Sequence, residues 1–232
     1  MNKVKEMALK AVLFDFDGTI IDLNFKYAES RIAIKKILKG LGFEESVFSL
    51  QDTAQTILEK AEKQMREMHM KMGLCEVKNR IWPIIDKFEV EAINDSKLVQ
   101  GTKPILDFLS EKSIRKGLVS NSGRSALQLA LTRHGLRKAF DAIVTRDEVN
   151  RLKPYGEGIE LALKILKISN ENAIYLGDGI NDVLAAKDAK VRSIAIGRWP
   201  HSKEKLAQLS PDYVVISLNE AMNLLKQLIE EA

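Results

Sequence analysis

Cysteine is almost missing from this 232-residue chain: Cys75 is the only one. No disulfide framework can form within it, and a reducing compartment is expected. Histidine is nearly as scarce. His69, His134 and His201 are scattered without ligand spacing, which argues against a zinc centre. No stretch approaches the roughly 18 uninterrupted apolar residues of a membrane span. The early apolar run at 11–14 is too short for a signal-peptide core and is cut by Asp15. A soluble, cytoplasmic protein is expected, with no membrane partner. Blocks of one charge are also absent, since the net charge of +4 comes from 36 Lys and Arg mixed with 32 Asp and Glu. The densest basic group, Arg31, Lys35, Lys36 and Lys39, falls at helical spacing and reads as a solvated helix face, so no nucleic-acid partner is expected. Low complexity and internal repeats are absent too.

What the chain does have is a 45% hydrophobic content arranged in short runs, each closed by small or polar residues. These runs are AVLFDFD (11–17), KGLVSNSG (116–123), DAIVTRDE (141–148), NAIYLGDG (172–179), VRSIAIG (191–197) and DYVVIS (212–217). Continuous rather than alternating hydrophobicity predicts strands buried on both faces, as in a parallel sheet. Helical spacing lies between them. Apolar stripes run through Ala126, Leu127, Ala130 and Leu131, through Ile159, Leu161, Ala162, Ile165 and Leu166, and through Leu218, Met222, Leu225 and Ile229. Alternating strands and helices with short joins predict an α/β, doubly wound core.

One interval breaks the rhythm. Residues 22–95 show only helical patterns, at 25–40, roughly 50–72 and roughly 76–93. That is too long for a crossover, so a helical second domain over 22–95 is expected, inserted into a core made of 1–21 and 96–232.

The strand ends carry the chemistry. Ligands bind beyond the carboxyl ends of the strands in open α/β sheets. Asp15 and Asp17 end the first run, Ser120 and Asn121 the second, Lys153 follows the third, and Asp178 and Asp182 follow the fourth. Crowded carboxylates repel unless a cation sits among them, and hard oxygen ligands without His or Cys favour Mg²⁺. With that charge offset, one carboxylate of Asp15-Phe16-Asp17 can attack phosphorus while the other handles the proton of the leaving oxygen and of water. An extended backbone at Phe16 points both acids the same way. To hold a proton at neutral pH, Asp17 needs burial or nearby negative charge. Gly18 permits a tight turn, and Thr19 is expected to hydrogen-bond it locally. Ser120, Asn121 and Lys153 suit the oxygens of a transferring phosphoryl group. At average residue usage, Asp-x-Asp-Gly-Thr arises by chance with a probability of about 10⁻³ over the chain, too rarely to be read as a simple turn.

These residues resemble the haloacid dehalogenase superfamily of phosphotransferases. DFDGT (15–19) matches its first motif, Ser120 with Asn121 the second, Lys153 the third and GDGIND (177–182) the fourth. The resemblance implies a Rossmann-like core with strand order 5-4-1-2-3 and a mobile four-helix cap, with a helical turn and β-hairpin after Thr19. It also implies Asp15 as nucleophile and Asp17 as general acid/base. Mg²⁺ would be held by Asp15, the Asp17 carbonyl and Asp178, with Asp182 one shell out. Family dehalogenases lack the second acid, so Asp17 implies phosphatase chemistry on a small phosphomonoester. The tail RWPHSKEKLAQLSPDYVV is similar to that of phosphoglycolate phosphatases, making phosphoglycolate the leading substrate. β-Phosphoglucomutase shares the motifs and the cap type, which leaves a phosphosugar mutase as the alternative. A phosphoester-binding regulatory protein without turnover is the alternative from another class. A monomer or homodimer is expected.

Other residues carry weaker signals. Met65, Met68 and Met72 read as core of the insert, with Met70 off their stripe, and Cys75 as a buried or chance thiol. Trp82-Pro83 is expected to bend or start the third insert helix. Lys26, Tyr27 and Arg31, and the group Glu76, Lys78, Asn79 and Arg80, are candidates for the far end of an anionic substrate. Arg124 is expected either to add a cation at the phosphate or to start a helix.

Overall fold

The computed structural model describes residues 8–230, so the first seven and last two residues of the expected core lie outside the described residues. In chain order, β1 (Ala11–Phe14) and β2 (Ile21–Asp22) are followed by α1 (Tyr27–Gly40), α2 (Ala54–Glu67) and α3 (Leu74–Ile93). Then come β3 (Lys97–Leu98), α4 (Thr102–Glu111), β4 (Arg115–Val119), α5 (Arg124–Arg133) and β5 (Ala142–Val144). The chain closes with α6 (Glu157–Leu166), β6 (Ala173–Gly177), α7 (Ile180–Asp188), β7 (Arg192–Ile196), α8 (Ser202–Ala207), β8 (Tyr213–Val215) and α9 (Leu218–Glu230).

Six of these strands pair in parallel in the order β5-β4-β1-β6-β7-β8. Numbered among themselves, that is the implied five-strand order read from the other edge, extended by a sixth strand. The four residues of β1 are wholly buried and serve both faces in turn. Val12 and Phe14 pack with Ile105, Leu127 and Leu225 from α4, α5 and α9. Ala11 and Leu13 pack with Ile159, Ala162 and Ala186 from α6 and α7. Period-two side chains with apolar layers on both sides leave no polar position to reveal the alternation, which is why the run reads as continuous.

The stripe predicted in α5 is the buried one. In α6, Ile159 and Ala162 are buried as expected, but Leu163 takes the third place and Ile165 is exposed. The helix starts at Glu157, and residues spaced at i, i+3 and i+4 from Ile159 fall at Ala162 and Leu163.

The insert holds three α-helices and, between the first two, a single 3₁₀ turn at Glu45–Val47, so the implied four helical units are met by three helices and one turn. It has an apolar cluster of its own, built from Ile34, Leu38, Phe43, Phe48, Ile57, Leu58, Val77 and Ile81. Met65, Met70 and Met72 pack there, while Met68 follows the end of α2 and is exposed. Pro83 lies inside α3 and does not start it. Cys75, in the first turn of α3, is exposed.

The ribbon after Thr19 is not a hairpin in sequence. β2 pairs antiparallel with β3, so its two strands are the chain's way into and out of the insert. Backbone bonds close the turn before it, Gly18 N–H to the Ile21 carbonyl at 2.8 Å and Ile20 N–H to the Phe16 carbonyl at 2.9 Å. Thr19 therefore does not do so: its hydroxyl is buried and makes no hydrogen bond among the described residues. Among the described residues no helix is long and apolar enough to cross a membrane.

Candidate active site

Register brings the reactive groups to one edge. Phe14 lies level with Leu118 of β4 and Leu176 of β6, and all three strands run the same way. Asp15 follows Phe14 directly, and Ser120 and Asp178 come one residue further along β4 and β6, so the three leave the sheet at the same edge. β1 stops at Phe14, but Asp15 N–H still bonds the Leu176 carbonyl at 2.8 Å, which carries the extended path one residue further. Asp15, Asp17, Ser120, Asn121, Lys153, Asp178 and Asp182 all line one cavity of about 740 Å³. Residues of the insert close its other side, among them Tyr27, Arg31, Asp52, Ile85 and Glu89.

Lys153 is the hub. Its ammonium bonds Asp15 Oδ1, Asp182 Oδ1 at 2.6 Å and the Tyr175 hydroxyl at 3.0 Å. Burial works against that charge, yet Asp15 and Asp182 outweigh it and hold Lys153 protonated, well above the usual lysine range. Asp182 is fully engaged. Oδ1 accepts from Lys153 and from the Tyr175 hydroxyl at 3.0 Å, and Oδ2 from Gly179 N–H at 2.9 Å. Asp15 has only its Oδ1 committed; Oδ2 accepts no hydrogen bond among the described residues.

The carboxylates outnumber the cation. Burial, then Asp182, pushes Asp15 above the usual carboxylate range against the pull of Lys153, and Asp178 adds to the rise. Burial is also the main cause that lifts Asp178 to about 7, with Asp182 and Asp17 adding to it. One oxygen each from Asp15, Asp178 and Asp182 lies within 4.8 Å of the others. Four acids, one ammonium and an all-oxygen donor set fit a hard divalent cation. Gly18 makes room for the Asp178 carboxylate. At φ +85° it takes the left-handed conformation, and a Cβ there would run into the Asp178 carboxylate.

Asp17 is partly buried, one of the two conditions read from the sequence, and is lifted only part of the way to neutral pH. Burial raises it to about 6, while Leu23 N–H at 3.0 Å and the Tyr27 hydroxyl at 3.1 Å hold its carboxylate. Ser120 Oγ accepts Ser122 N–H at 3.0 Å, which leaves its proton free to point elsewhere. Asn121 clamps the backbone of Lys153 from both sides, Oδ1 to Lys153 N–H at 2.9 Å and Nδ2 to its carbonyl at 3.1 Å. The backbone N–H of Asn121 has no acceptor among the described residues.

Several weaker candidates stand elsewhere. Arg124 starts α5 and pairs with Glu148 at 2.7 Å and the Ile143 carbonyl at 3.0 Å, away from the cavity lining. Lys26, Glu76, Lys78, Asn79 and Arg80 do not line the cavity either; Lys78 ties the insert to the Asn150 carbonyl at 3.0 Å. Arg31 departs from the solvated face expected of it, because it points into the join between insert and core and is 7% exposed. Glu89, Arg146 and Tyr175 went unnoticed in the sequence. Trp82, Asp86 and Glu89 follow one another at helical spacing in α3, and that face, an aromatic with two acids, was the available signal.

A model of the haloacid dehalogenase-like hydrolases matches residues 12–196. The chain is 28% identical to a protein of Caldanaerobacter subterraneus subsp. tengcongensis named "Putative pyrophosphatase PpaX", over 95% of this chain and 96% of that one. The fold is shared with a predicted phosphoglycolate phosphatase from Haemophilus somnus 129PT (TM-score 0.62, 17% identity, 96% and 99% of the two chains). It is shared as well with a "putative beta-phosphoglucomutase" from Thermotoga maritima (TM-score 0.62, 23% identity, 94% and 99%). Sheet order, strand-end acids and a match over most of the length agree, and the chain belongs to the haloacid dehalogenase-like hydrolases.

Proposed function

We propose that this protein is a Mg²⁺-dependent phosphatase that hydrolyses a small phosphate compound through a phosphorylated Asp15. The observation that carries this reading is the asymmetry of Asp15: Lys153 holds one carboxylate oxygen and leaves the other free in the cavity, with Asp17 beside it. The free oxygen attacks phosphorus. Asp17, whose pKa near 6 keeps part of it protonated at neutral pH, gives its proton to the leaving oxygen. In the second step Asp17, now a carboxylate, takes a proton from the water that attacks the phospho-Asp15, releasing phosphate. The Ser120 hydroxyl, the Asn121 N–H and the Lys153 ammonium receive the phosphoryl oxygens. Asp15, the Asp17 carbonyl and Asp178 would hold Mg²⁺, with Asp182 behind them, and the bound ion would offset carboxylate charge and polarise the phosphoryl group. The insert over residues 22–95 acts as a cap that excludes water from the transfer.

Phosphoglycolate is the leading substrate, supported by the likeness of the C-terminal region, and pyrophosphate joins it through the name of the relative above. The same reading makes the protein a cytoplasmic monomer or homodimer. Asp15→Asn should abolish phosphate release from p-nitrophenyl phosphate without changing the melting temperature by more than a few degrees. Full turnover by that variant, or by the wild type in EDTA, would overturn the mechanism.

A further inference from the structure

Arg31 is the exception among the buried guanidinium groups. Arg146, 3% exposed, pairs with two carboxylates, Asp86 and Glu89. Arg31 is almost as deeply placed, yet makes no ion pair among the described residues. Its Nε donates to the Asp52 carbonyl at 2.7 Å and its Nη1 to the Ser30 hydroxyl at 3.3 Å, both neutral partners. Nη2 makes no hydrogen bond among the described residues. The Asp52 carboxylate is committed elsewhere: it takes Lys60 at 2.8 and 2.7 Å and Ser49 N–H at 2.8 Å. Arginine cannot shed its proton, and a buried charge without a counter-ion is costly.

That charge faces the reaction. Arg31 lines the same cavity as Asp15 and Asp17. Tyr27, one helical turn earlier on α1, touches both sides, since its hydroxyl reaches Asp17 at 3.1 Å and its ring centroid lies 6.0 Å from the Arg31 Cζ. The cavity of about 740 Å³ has room beyond a single phosphate group. A planar guanidinium presents paired donors that match a carboxylate or a phosphate.

We propose that Arg31 is the counter-charge for a second anionic group of the substrate, so that the enzyme selects compact molecules carrying a carboxylate or a further phosphate close to the phosphoryl group it removes. This rests on the phosphatase reading and narrows it. The Arg31 fork binds the distal anion, the strand-end groups bind the phosphoryl group, and the insert and core are drawn together across the substrate.

The test compares kcat/KM of the full-length wild type with Mg²⁺ on ethyl phosphate, which has no second anion, phosphoglycolate, which has a carboxylate, and pyrophosphate, which has a second phosphate. One or both anionic substrates should exceed ethyl phosphate by about 10- to 100-fold, the worth of one or two charge-assisted hydrogen bonds. The arm that wins identifies the anion. Arg31→Gln and Arg31→Lys should shrink that ratio about tenfold or more, chiefly through KM, as expected for lost ground-state binding. Equal rates on all three substrates would overturn the inference while leaving the phosphatase reading intact. So would an unchanged ratio in variants whose melting curves show a folded protein. Hydrolysis of none of them, nor of p-nitrophenyl phosphate, would bring down both.

Discussion

Arg146, in the loop after β5, donates from Nη1 to Oε1 of Glu89 at 2.7 Å, joining the core to the insert helix α3. Glu89 also accepts Gly123 N–H at 3.0 Å, and the Trp82 ring lies 5.1 Å from the Arg146 Cζ. One buried acid thus spans two parts of the core from the side of the insert. Burial raises the Glu89 pKa even though Arg146 pulls against it. Truncation to Arg146→Met leaves the acid buried without its cation, at a cost of about 3–5 kcal/mol in stability. An acid with a folded pKa above its unfolded one loses stability as pH rises past the unfolded value of 4.5. The variant's deficit should therefore widen from pH 5 to pH 8 in thermal melts. A deficit independent of pH would mean that the loss is packing alone.

Gly18 is tested by a single methyl. Gly18→Ala must adopt φ +85° and push against the Asp178 carboxylate. The backbone cost is about 1 kcal/mol, small enough for folding. Displacement of an acid by an ångström costs far more in rate, about 100-fold. The expected outcome is a folded protein whose kcat/KM on p-nitrophenyl phosphate falls by that order. Near-normal activity would show that Asp178 tolerates a shifted position.

The protonation of Asp17 predicts a pH profile. The acid form populates below its pKa of about 6, so kcat for an alkyl phosphate, whose leaving oxygen needs a proton, declines as pH rises through that value. The Tyr27 hydroxyl stabilises the carboxylate form, and its removal in Tyr27→Phe raises the pKa. The declining limb should move to higher pH. A limb that stays put, or moves down, would dissociate it from Asp17.

Magnesium should be visible without turnover. A ligand that binds only the folded state at about 100 times its Kd stabilises by about 2.7 kcal/mol. Mg²⁺ titration should raise the melting temperature of the wild type and do so far less in Asp178→Asn, which removes one acid of the cluster. Equal shifts in both proteins would place the ion elsewhere.

Much of this site was legible in the sequence because parallel strands end where their hydrophobic runs end. Asp15, Ser120 and Asp178 each follow such a run directly, and the three meet once β4, β1 and β6 are aligned. Lys153, in a loop well past β5, was recovered by motif and not by run length. What escaped was set by tertiary contact. Glu89 sits near the end of α3 between Phe88 and Val90, and only the approach of Gly123 and Arg146 gives it a role. Tyr175 lies within the run NAIYLGDG, and nothing local shows that its hydroxyl meets Lys153 and Asp182. Arg31 shares a helix with three lysines, and its spacing matches theirs; burial by the loop at Asp52 is what separates it. The Thr19 hydroxyl failed its expected role because the turn's carbonyls were already taken by backbone donors.

The most direct test of the account is acid-quenched mass spectrometry of the Asp17→Asn variant mixed with Mg²⁺ and p-nitrophenyl phosphate, whose leaving group departs without a proton. With water activation removed, one phosphoryl group should accumulate on the peptide containing Asp15 and vanish in the Asp15→Asn, Asp17→Asn double variant. Phosphoryl mass on another residue, or on none while nitrophenol is still released in a burst, would contradict an Asp15 nucleophile.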